Sequence, residues 1–285
     1  MRCQLCESQT EKIYKVIRKS KIYECSLCQL AFIDQKVLTV TKLLKDDTSE
    51  LYNFENYKKD EGRLRKRFKK LTVKITAHKK SGSVLDVGAG FGLFSSELNK
   101  TGDFNFDLIE PGLKLRYVGK LEKKIYPLTF EKFKAGRKYD IILMMDVLEH
   151  YINPLKNLEK AKRLLKKEGI LVIQTPNYKS LMASICRDWA WWMVEDHKFF
   201  FSPKSLRLIL EKAGFGSQHL MTYEDREDFK KNLDGNFVKI KNHFLRAVIK
   251  GVYFTIFFPI YFVARNMLWR LNYGGLIFVI ADKVI

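Results

Sequence analysis

The sequence predicts an α/β fold, a mostly parallel sheet covered by helices and preceded by a small cysteine-rich module. Four of the five cysteines fall into two C-x2-C pairs near the start. From Val84 onward, short apolar runs alternate with amphipathic stretches, as they do when each buried strand is followed by a crossover helix. Between the first such run and the first helix stands VLDVGAGFG, Val84 to Gly92, in which an acid and three glycines follow an apolar strand. With 285 residues and 46% apolar composition the chain can bury a sizeable core.

The cysteine module comes first. Cys3 and Cys6 form one pair, Cys25 and Cys28 the other, and residues 7–24 between them give a zinc-ribbon spacing. Each C-x2-C turns two thiolates toward one point, and KIYKVIRKSKIYEC reads as a short hairpin. Four sulfurs would close the metal in, so the expectation is structural zinc; two reduced cysteine pairs are the alternative. Met1 runs directly into RCQLCESQ with no signal-peptide pattern, so a cytoplasmic setting is expected, where cysteines serve as ligands rather than disulfides. Cys186, alone among apolar neighbours, reads as a buried small residue.

Charge narrows the partners. There are 52 Lys and Arg against 32 Asp and Glu, a formal charge of +20, which favours anionic partners such as nucleic acid or acidic headgroups. A helix is expected from about Asp60 to His78, because Leu64, Phe68, Leu71 and Ile75 recur at helical spacing. Its remaining face is densely basic, a solvated surface or an anion-docking one.

The later elements follow in order. SVLDVG is a strand and LFSSELNK opens a helix. FNFDLIE is the next strand, ending in Glu110, and a short one is expected near Ile125 to Phe130. YDIILMMD is a buried strand, NPLKNLEKAKRLLKKEG a helix stopped by Gly169, and GILVIQTPN a further strand. SPKSLRLILEKAGF is a helix with Ser202 as its cap, and FGSQHLMTYED and GGLIFVIADKVI are the last two strands. The glycine turn, Glu110 and Asp146 all stand at strand carboxyl ends, where ligands of such sheets bind. Gly88, Gly90 and Gly92 form G-x-G-x-G, which is neither the G-x-G-x-x-G of dinucleotide sites nor a triphosphate loop. Glu110 is placed to accept hydrogen bonds from ribose hydroxyls.

VLDVGAGFG, LIEPG, YDIILMMDVLEHYINP and GILVIQTPN, in that order, resemble class I S-adenosylmethionine-dependent methyltransferases over about Ser83 to Phe215 and the final strand. The resemblance is to the broad group of quinone-pathway and sugar methyltransferases, some with an N-terminal four-cysteine zinc ribbon. It implies a Rossmann-like seven-stranded mostly parallel sheet. It also implies S-adenosylmethionine held by Asp86, Gly88, Ala89, Gly90, Gly92, Glu110 and Pro111, with Asp146 lining the methyl-transfer pocket and the adenine segment near Thr129 and Glu131. Three divisions are expected: 1–35 as zinc ribbon, 36–80 as basic helical linker, and 81–285 as the methyltransferase domain.

An acceptor hydroxyl needs a base, and His197 and His150 are the candidates. Trp189, Trp191 and Trp192 form either an apolar lid or ordinary packing. Residues 235–272 read as a helical apolar insertion. From Gly235 to Ala281 there is no acidic residue, while GVYFTIFFPIYFVA is uncharged but too short to span a bilayer. An interfacial or re-entrant helical pair on an anionic membrane surface is expected, with a lid or a subunit contact as the alternative. The functional expectation is methylation of a small or lipid-linked acceptor, a glycan or glycolipid hydroxyl of cell-surface polysaccharide synthesis, peripheral at the inner face of the cytoplasmic membrane. RNA methylation using the basic face and ribbon, and quinone-pathway O-methylation, are the alternatives. Nucleic acid is disfavoured because DVLEHY stands where base-amino methylation would place a proline-aromatic motif.

Overall fold

Two sheets organise the protein, and the central strands of the larger one are runs of apolar side chains. The computed structural model describes residues 1–34, 54–112, 115–119, 121, 123–186, 189–225, 228–230, 232 and 242–284. The small sheet comprises β1 (Ile13–Ile17), β2 (Ser20–Glu24), β3 (Ala31–Ile33) and β9 (Phe199–Phe200), in the order β1-β2-β3-β9 and antiparallel throughout. The hairpin expected between the cysteine pairs is β1 and β2, turning at Arg18 and Lys19, both in left-handed conformation. The ribbon is not closed by its own residues: β9, from far along the chain, supplies its outer strand.

The large sheet has seven strands in the order β10-β11-β8-β7-β4-β5-β6. These are β4 (Ser81–Val87), β5 (Asp103–Ile109), β6 (Lys123–Tyr126), β7 (Tyr139–Met145), β8 (Leu165–Pro176), β10 (Phe215–Tyr223) and β11 (Leu276–Lys283). The pairings β4 with β5, β4 with β7, β5 with β6 and β7 with β8 are parallel. Their central residues, Val84, Leu85, Ile141, Ile142, Leu143, Leu171 and Val172, are fully buried, as strands covered on both faces require. From β4 the chain moves outward through β5 and β6, then returns to the other side of β4 through β7 and β8. The reversal of order therefore lies between β4 and β7.

Helices α1 (Phe54–Lys59), α2 (Glu61–His78), α3 (Leu93–Asn99), α4 (Pro154–Leu164), α5 (Leu181–Ile185) and α6 (Pro203–Lys212) fill the connections. In α2 the apolar stripe read from the sequence, Leu64, Phe68, Leu71 and Ile75, is the buried face. Two boundaries differ from expectation. The helix expected to run to Gly169 stops at Leu164, because Leu165 pairs with Tyr139 and the register then slips so that Ile170 opposes Ile141. The intervening residues are absorbed as a bulge in β8, held by the Lys166–Asp140 ion pair at 2.6 Å. Strand β6 ends at Tyr126, earlier than expected, since Pro127 has no N–H for the ladder.

Contacts divide the chain into two compact units, Met1–Asp34 with Thr175–Leu208 and Leu220–Phe278, and Gln35–Gln174 with Ile209–His219 and Val279–Ile285. In the first unit, Asn177 at the end of β8 organises the final turn: its N–H donates to Gly275 O, and its amide donates to Asn272 O at 2.9 Å and Gly274 O at 2.8 Å. The apolar insertion is α7 (His243–Arg270), capped by the Asn242 side chain on Leu245 N–H and carrying Pro259 inside. Among the described residues no single helix is long and apolar enough to cross a membrane. The halves His243–Ile256 and Phe258–Arg270 pass that test together but are bent by 50°, where Pro259 removes a helical hydrogen bond.

The C-terminal half of α7 is fastened to the end of β10. Thr222 Oγ1 donates to Trp269 O at 2.8 Å, Phe229 stacks on Tyr261 at 3.9 Å, and Tyr261 donates to Glu224 at 3.1 Å. Burial drives the Glu224 carboxyl up to about 8, eased by that hydrogen bond and reinforced by Asp228 and Asp225. A raised acid is stabilising while protonated, so its contribution is full below the unfolded value of about 4.3 and is lost as pH rises through about 8. Glu224→Gln should therefore raise the thermal midpoint by several degrees near pH 8.5 and hardly change it near pH 4.5; thermal melts across that range check it.

Candidate active site

The turn after β4 is built from backbone. Gly88, Gly90 and Gly92 have φ of 68°, 55° and 78°, a conformation that costs other residues about 1–2 kcal/mol each. Gly88 N–H and Ala89 N–H both donate to Ile109 O, at 2.8 and 3.0 Å, which hooks the turn over the end of β5. Gly92 N–H closes it on Ala89 O at 2.8 Å and starts α3. The three glycines differ in what surrounds them. A Cβ on Gly88 would stand 2.7 Å from Val147, one on Gly92 would overlap Val118, and one on Gly90 would meet nothing within 4 Å. Gly88 and Gly92 are bare so that the turn can pack, and Gly90 is bare where space is open.

Glu110, at the end of β5, holds this turn from below. One carboxylate oxygen accepts from Gly90 N–H at 2.7 Å and the other from Gly112 N–H at 2.8 Å. Pro111 follows it, exposed. A carboxylate has about four acceptor sites, so two remain for hydroxyl donors. Asp86 is 2% exposed and accepts from Ser95 in the first turn of α3 at 2.6 Å. Burial pushes its carboxyl up to about 6, the Ser95 hydroxyl counters this, and the neighbouring Glu110 charge adds to it. Asp86 thus stands beneath the turn and ties β4 to α3.

Asp146 lies across the sheet's point of reversal, just beyond β7, with φ 55°. Its N–H donates to Gln174 O at 2.9 Å, and the fully buried Gln174 amide donates back to its carboxylate at 2.7 Å. That reciprocal pair fixes a strained backbone and aims the carboxylate. Gln174 carries no motif in the sequence, and only its burial at the end of β8 reveals it. His150 ends a 3-10 turn, Leu148–His150, half-buried. Thr129 lies in a turn whose carbonyl accepts from Lys132 and Phe133 N–H, and the Glu131 carboxylate accepts from Asn157 at 3.3 Å.

An aromatic roof over the glycine turn was absent from the sequence reading. Phe91, inside the turn, packs edge-on to Phe54 at 5.2 Å and against Tyr57 at 4.8 Å, and Tyr117 lies 5.7 and 6.2 Å from the same two rings. Arg116 and Tyr117 N–H groups donate to Phe91 O, and Tyr117 O–H donates to Glu61 at 2.9 Å. Burial holds the Tyr57 hydroxyl protonated well above its ordinary range, with Tyr117 and Asp146 adding to the effect. The signal is the spacing of Phe54 and Tyr57 on one face of α1, too short a helix to stand out by periodicity.

In the other unit, His197 is buried, and its Nδ1 lies 3.1 Å from Trp191 O. A carbonyl can only accept, so Nδ1 carries a proton. Trp189 and Trp192 are packing rather than a lid: Trp192 meets Trp189 at 5.0 Å, Phe200 at 5.1 Å and Tyr14 of β1 at 6.1 Å, and both indoles are nearly fully buried. The four cysteines converge as expected. Cys3 and Cys28 sulfurs are 3.5 Å apart and Cys6 and Cys25 sulfurs 3.4 Å, and all four lie within 4.8 Å of one another. A metal–sulfur bond of about 2.3 Å gives a tetrahedron with edges of about 3.8 Å, so the cluster fits a four-coordinate ion. Hydrogen bonding from Cys28 lowers the Cys3 thiol to about 5. Each knuckle closes through a left-handed residue four positions after its first cysteine, Glu7 and Gln29, whose N–H donates to Cys3 O and Cys25 O.

Sheet order, glycine turn and acidic strand ends together define a class I S-adenosylmethionine-dependent methyltransferase domain. A methyltransferase-domain family matches residues 58–220, and the chain belongs to that family. It is 34% identical over 138 residues to an uncharacterised protein of Methanocaldococcus jannaschii, covering 48% of this chain and 56% of that protein. It is 30% identical over 148 residues to the ubiquinone biosynthesis O-methyltransferase of Cereibacter sphaeroides, covering 46% and 59%. The chain thus spans somewhat over half the length of these relatives. Among solved structures, a methyltransferase of Archaeoglobus fulgidus superposes with TM-score 0.52 at 21% identity, over 77% of this chain and 94% of that one. One of Thermotoga maritima does so with TM-score 0.53 at 17% identity, over 82% and 98%. Both share the fold.

The glycines give a discriminating test. Gly90→Ala should cost only about 1 kcal/mol of stability yet weaken S-adenosylmethionine binding at least about tenfold, because its methyl enters the open space. Gly92→Ala should lower stability more, through Val118. Thermal melts and ligand titration on both variants check this.

Proposed function

We propose that this protein transfers a methyl group from S-adenosylmethionine to a hydroxyl of a small acceptor of the quinone-precursor type. The observation that carries the reading is the glycine turn bound to Glu110 with open space above Gly90. Its surroundings fit the cofactor. Asp86, Glu110 and Asp146 concentrate acceptors and negative charge in a chain of net charge +20, which suits a cationic ligand bearing ribose hydroxyls and an ammonium group. Glu110 would accept from the ribose hydroxyls. Gly88, Ala89, Gly90 and Gly92 would surround the methionine portion, with Asp86 supporting them from beneath and Pro111 flanking the ribose. Asp146 would face the reacting end. When bound, the cofactor supplies an electrophilic methyl on a sulfonium.

The chain's own work is to position the acceptor and remove its proton. His197 takes the hydroxyl proton as general base, and His150 holds the loop after β7. The phenol-type acceptor is favoured over the glycan expected from sequence because the named relatives are ubiquinone biosynthesis O-methyltransferases. The four cysteines would hold a structural zinc ion, which would fix the ribbon.

Two experiments test these roles. Incubation with labelled S-adenosylmethionine and catechol-type phenols should give an O-methyl product, and His197→Ala should lower kcat by about 100-fold or more without changing cofactor affinity; unchanged turnover would remove His197 from the chemistry. Purified protein should contain one zinc per chain, and Cys3→Ser with Cys28→Ser should lose it together with ribbon stability; a zinc-free folded protein would refute the metal assignment.

A further inference from the structure

Among the described residues, the long helix α7 is covered along one side of its C-terminal half and otherwise stands open. Of its described side chains none is fully buried. Phe244, Val248, Val252, Ile256, Ile260 and Val263 recur every three or four residues and form a stripe exposed by 45–83%. Burying such side chains is worth about 1.5–3 kcal/mol each, so a stripe of six left in water is a large unused driving force. It is not the inner face of the unit: Phe258, Tyr261 and Trp269 make the contacts to Phe229, Glu224 and Thr222.

We propose that α7 lies in the surface of an anionic lipid bilayer, with its stripe among the acyl chains and its basic residues among the headgroups. Charge decides the occupant. No acid occurs from Gly235 to Ala281, whereas Arg246, Lys250, Arg265 and Arg270 lie along the helix and the whole chain carries +20. A second copy would bring like charge against like, and a neutral apolar partner would add no electrostatic attraction. Anionic headgroups answer both terms at once, apolar burial plus about 1 kcal/mol for each basic residue near the surface. The Arg265 guanidinium stacks 3.7 Å over the Phe262 ring and 5.5 Å from the Trp269 ring.

The helix lies in the surface rather than crossing it. Residues 251–264 are uncharged, about 21 Å of helix against a hydrocarbon core of about 30 Å, and the 50° bend prevents the two halves from adding their lengths. Both ends of the excursion belong to strands that neighbour one another in one sheet, β10 and β11, so the chain must return to the side it left. Membrane docking is independent of the acceptor's identity.

The test is flotation of the full chain with vesicles of phosphatidylcholine alone and with about one third phosphatidylglycerol. The protein should float with the anionic vesicles at low salt and stay below with the neutral ones. The double variant Ile256→Asp, Ile260→Asp should lose binding at least about tenfold, while its thermal midpoint and S-adenosylmethionine titration match wild type. Arg246→Glu with Lys250→Glu should weaken binding to anionic vesicles alone. Wild-type protein that stays below at low salt, or an aspartate variant that floats as wild type does, would overturn the proposal. So would a wild-type dimer that the aspartates dissociate in sedimentation without any flotation, since the stripe would then be an interface between copies.

Discussion

One carboxylate between two backbone amides carries the site. Glu110 accepts from Gly90 and Gly112, so the turn after β4 and the segment after β5 are fixed to the same pair of oxygens. Charge-assisted hydrogen bonds of this kind are shorter and stronger than neutral ones. They offset the cost of three left-handed positions at alternate residues of the turn, which only glycine meets without strain. The bond from Gly88 to Ile109 aligns the turn with the adjacent strand, and the Asp86–Ser95 bond aligns it with α3. Removing the carboxylate would leave two amides without acceptors as well as an open ligand site.

The same constraint explains an apparent contradiction in charge. The chain is strongly basic, yet its glycine turn is lined by acids, two of them close enough for Glu110 to raise Asp86. Acidic lining costs desolvation and like-charge repulsion, and a fold retains it where a cation repays that cost. Basic residues instead line α2, where Arg65 pairs with Glu61 and Glu97, and punctuate α7.

Much of this was legible in the sequence, because several signals depend on local chemistry. The C-x2-C pairs converge as their spacing requires, the Leu64 to Ile75 stripe is the buried face of α2, and G-x-G-x-G is the turn its glycines suggest. What was not legible depends on contacts between distant residues. Gln174 supports Asp146 from another strand, β9 completes the ribbon from far along the chain, and Phe54 and Tyr57 reach the turn from a six-residue helix. The end of α4 was misjudged because helix propensity in LKKEG yields to strand pairing with Tyr139. The tryptophans were ambiguous for a related reason, since an aromatic cluster reads alike whether it meets a ligand or, as here, Tyr14 and Phe200.

The most direct test of the central claim is calorimetric titration of S-adenosylmethionine into the wild-type protein and into Glu110→Ala. The account predicts one site per chain in the wild type and binding weakened by at least about 100-fold in the variant, since both the ribose acceptor and the anchor of the turn are lost. Equal binding by the two proteins, or no binding by folded wild type, would contradict it.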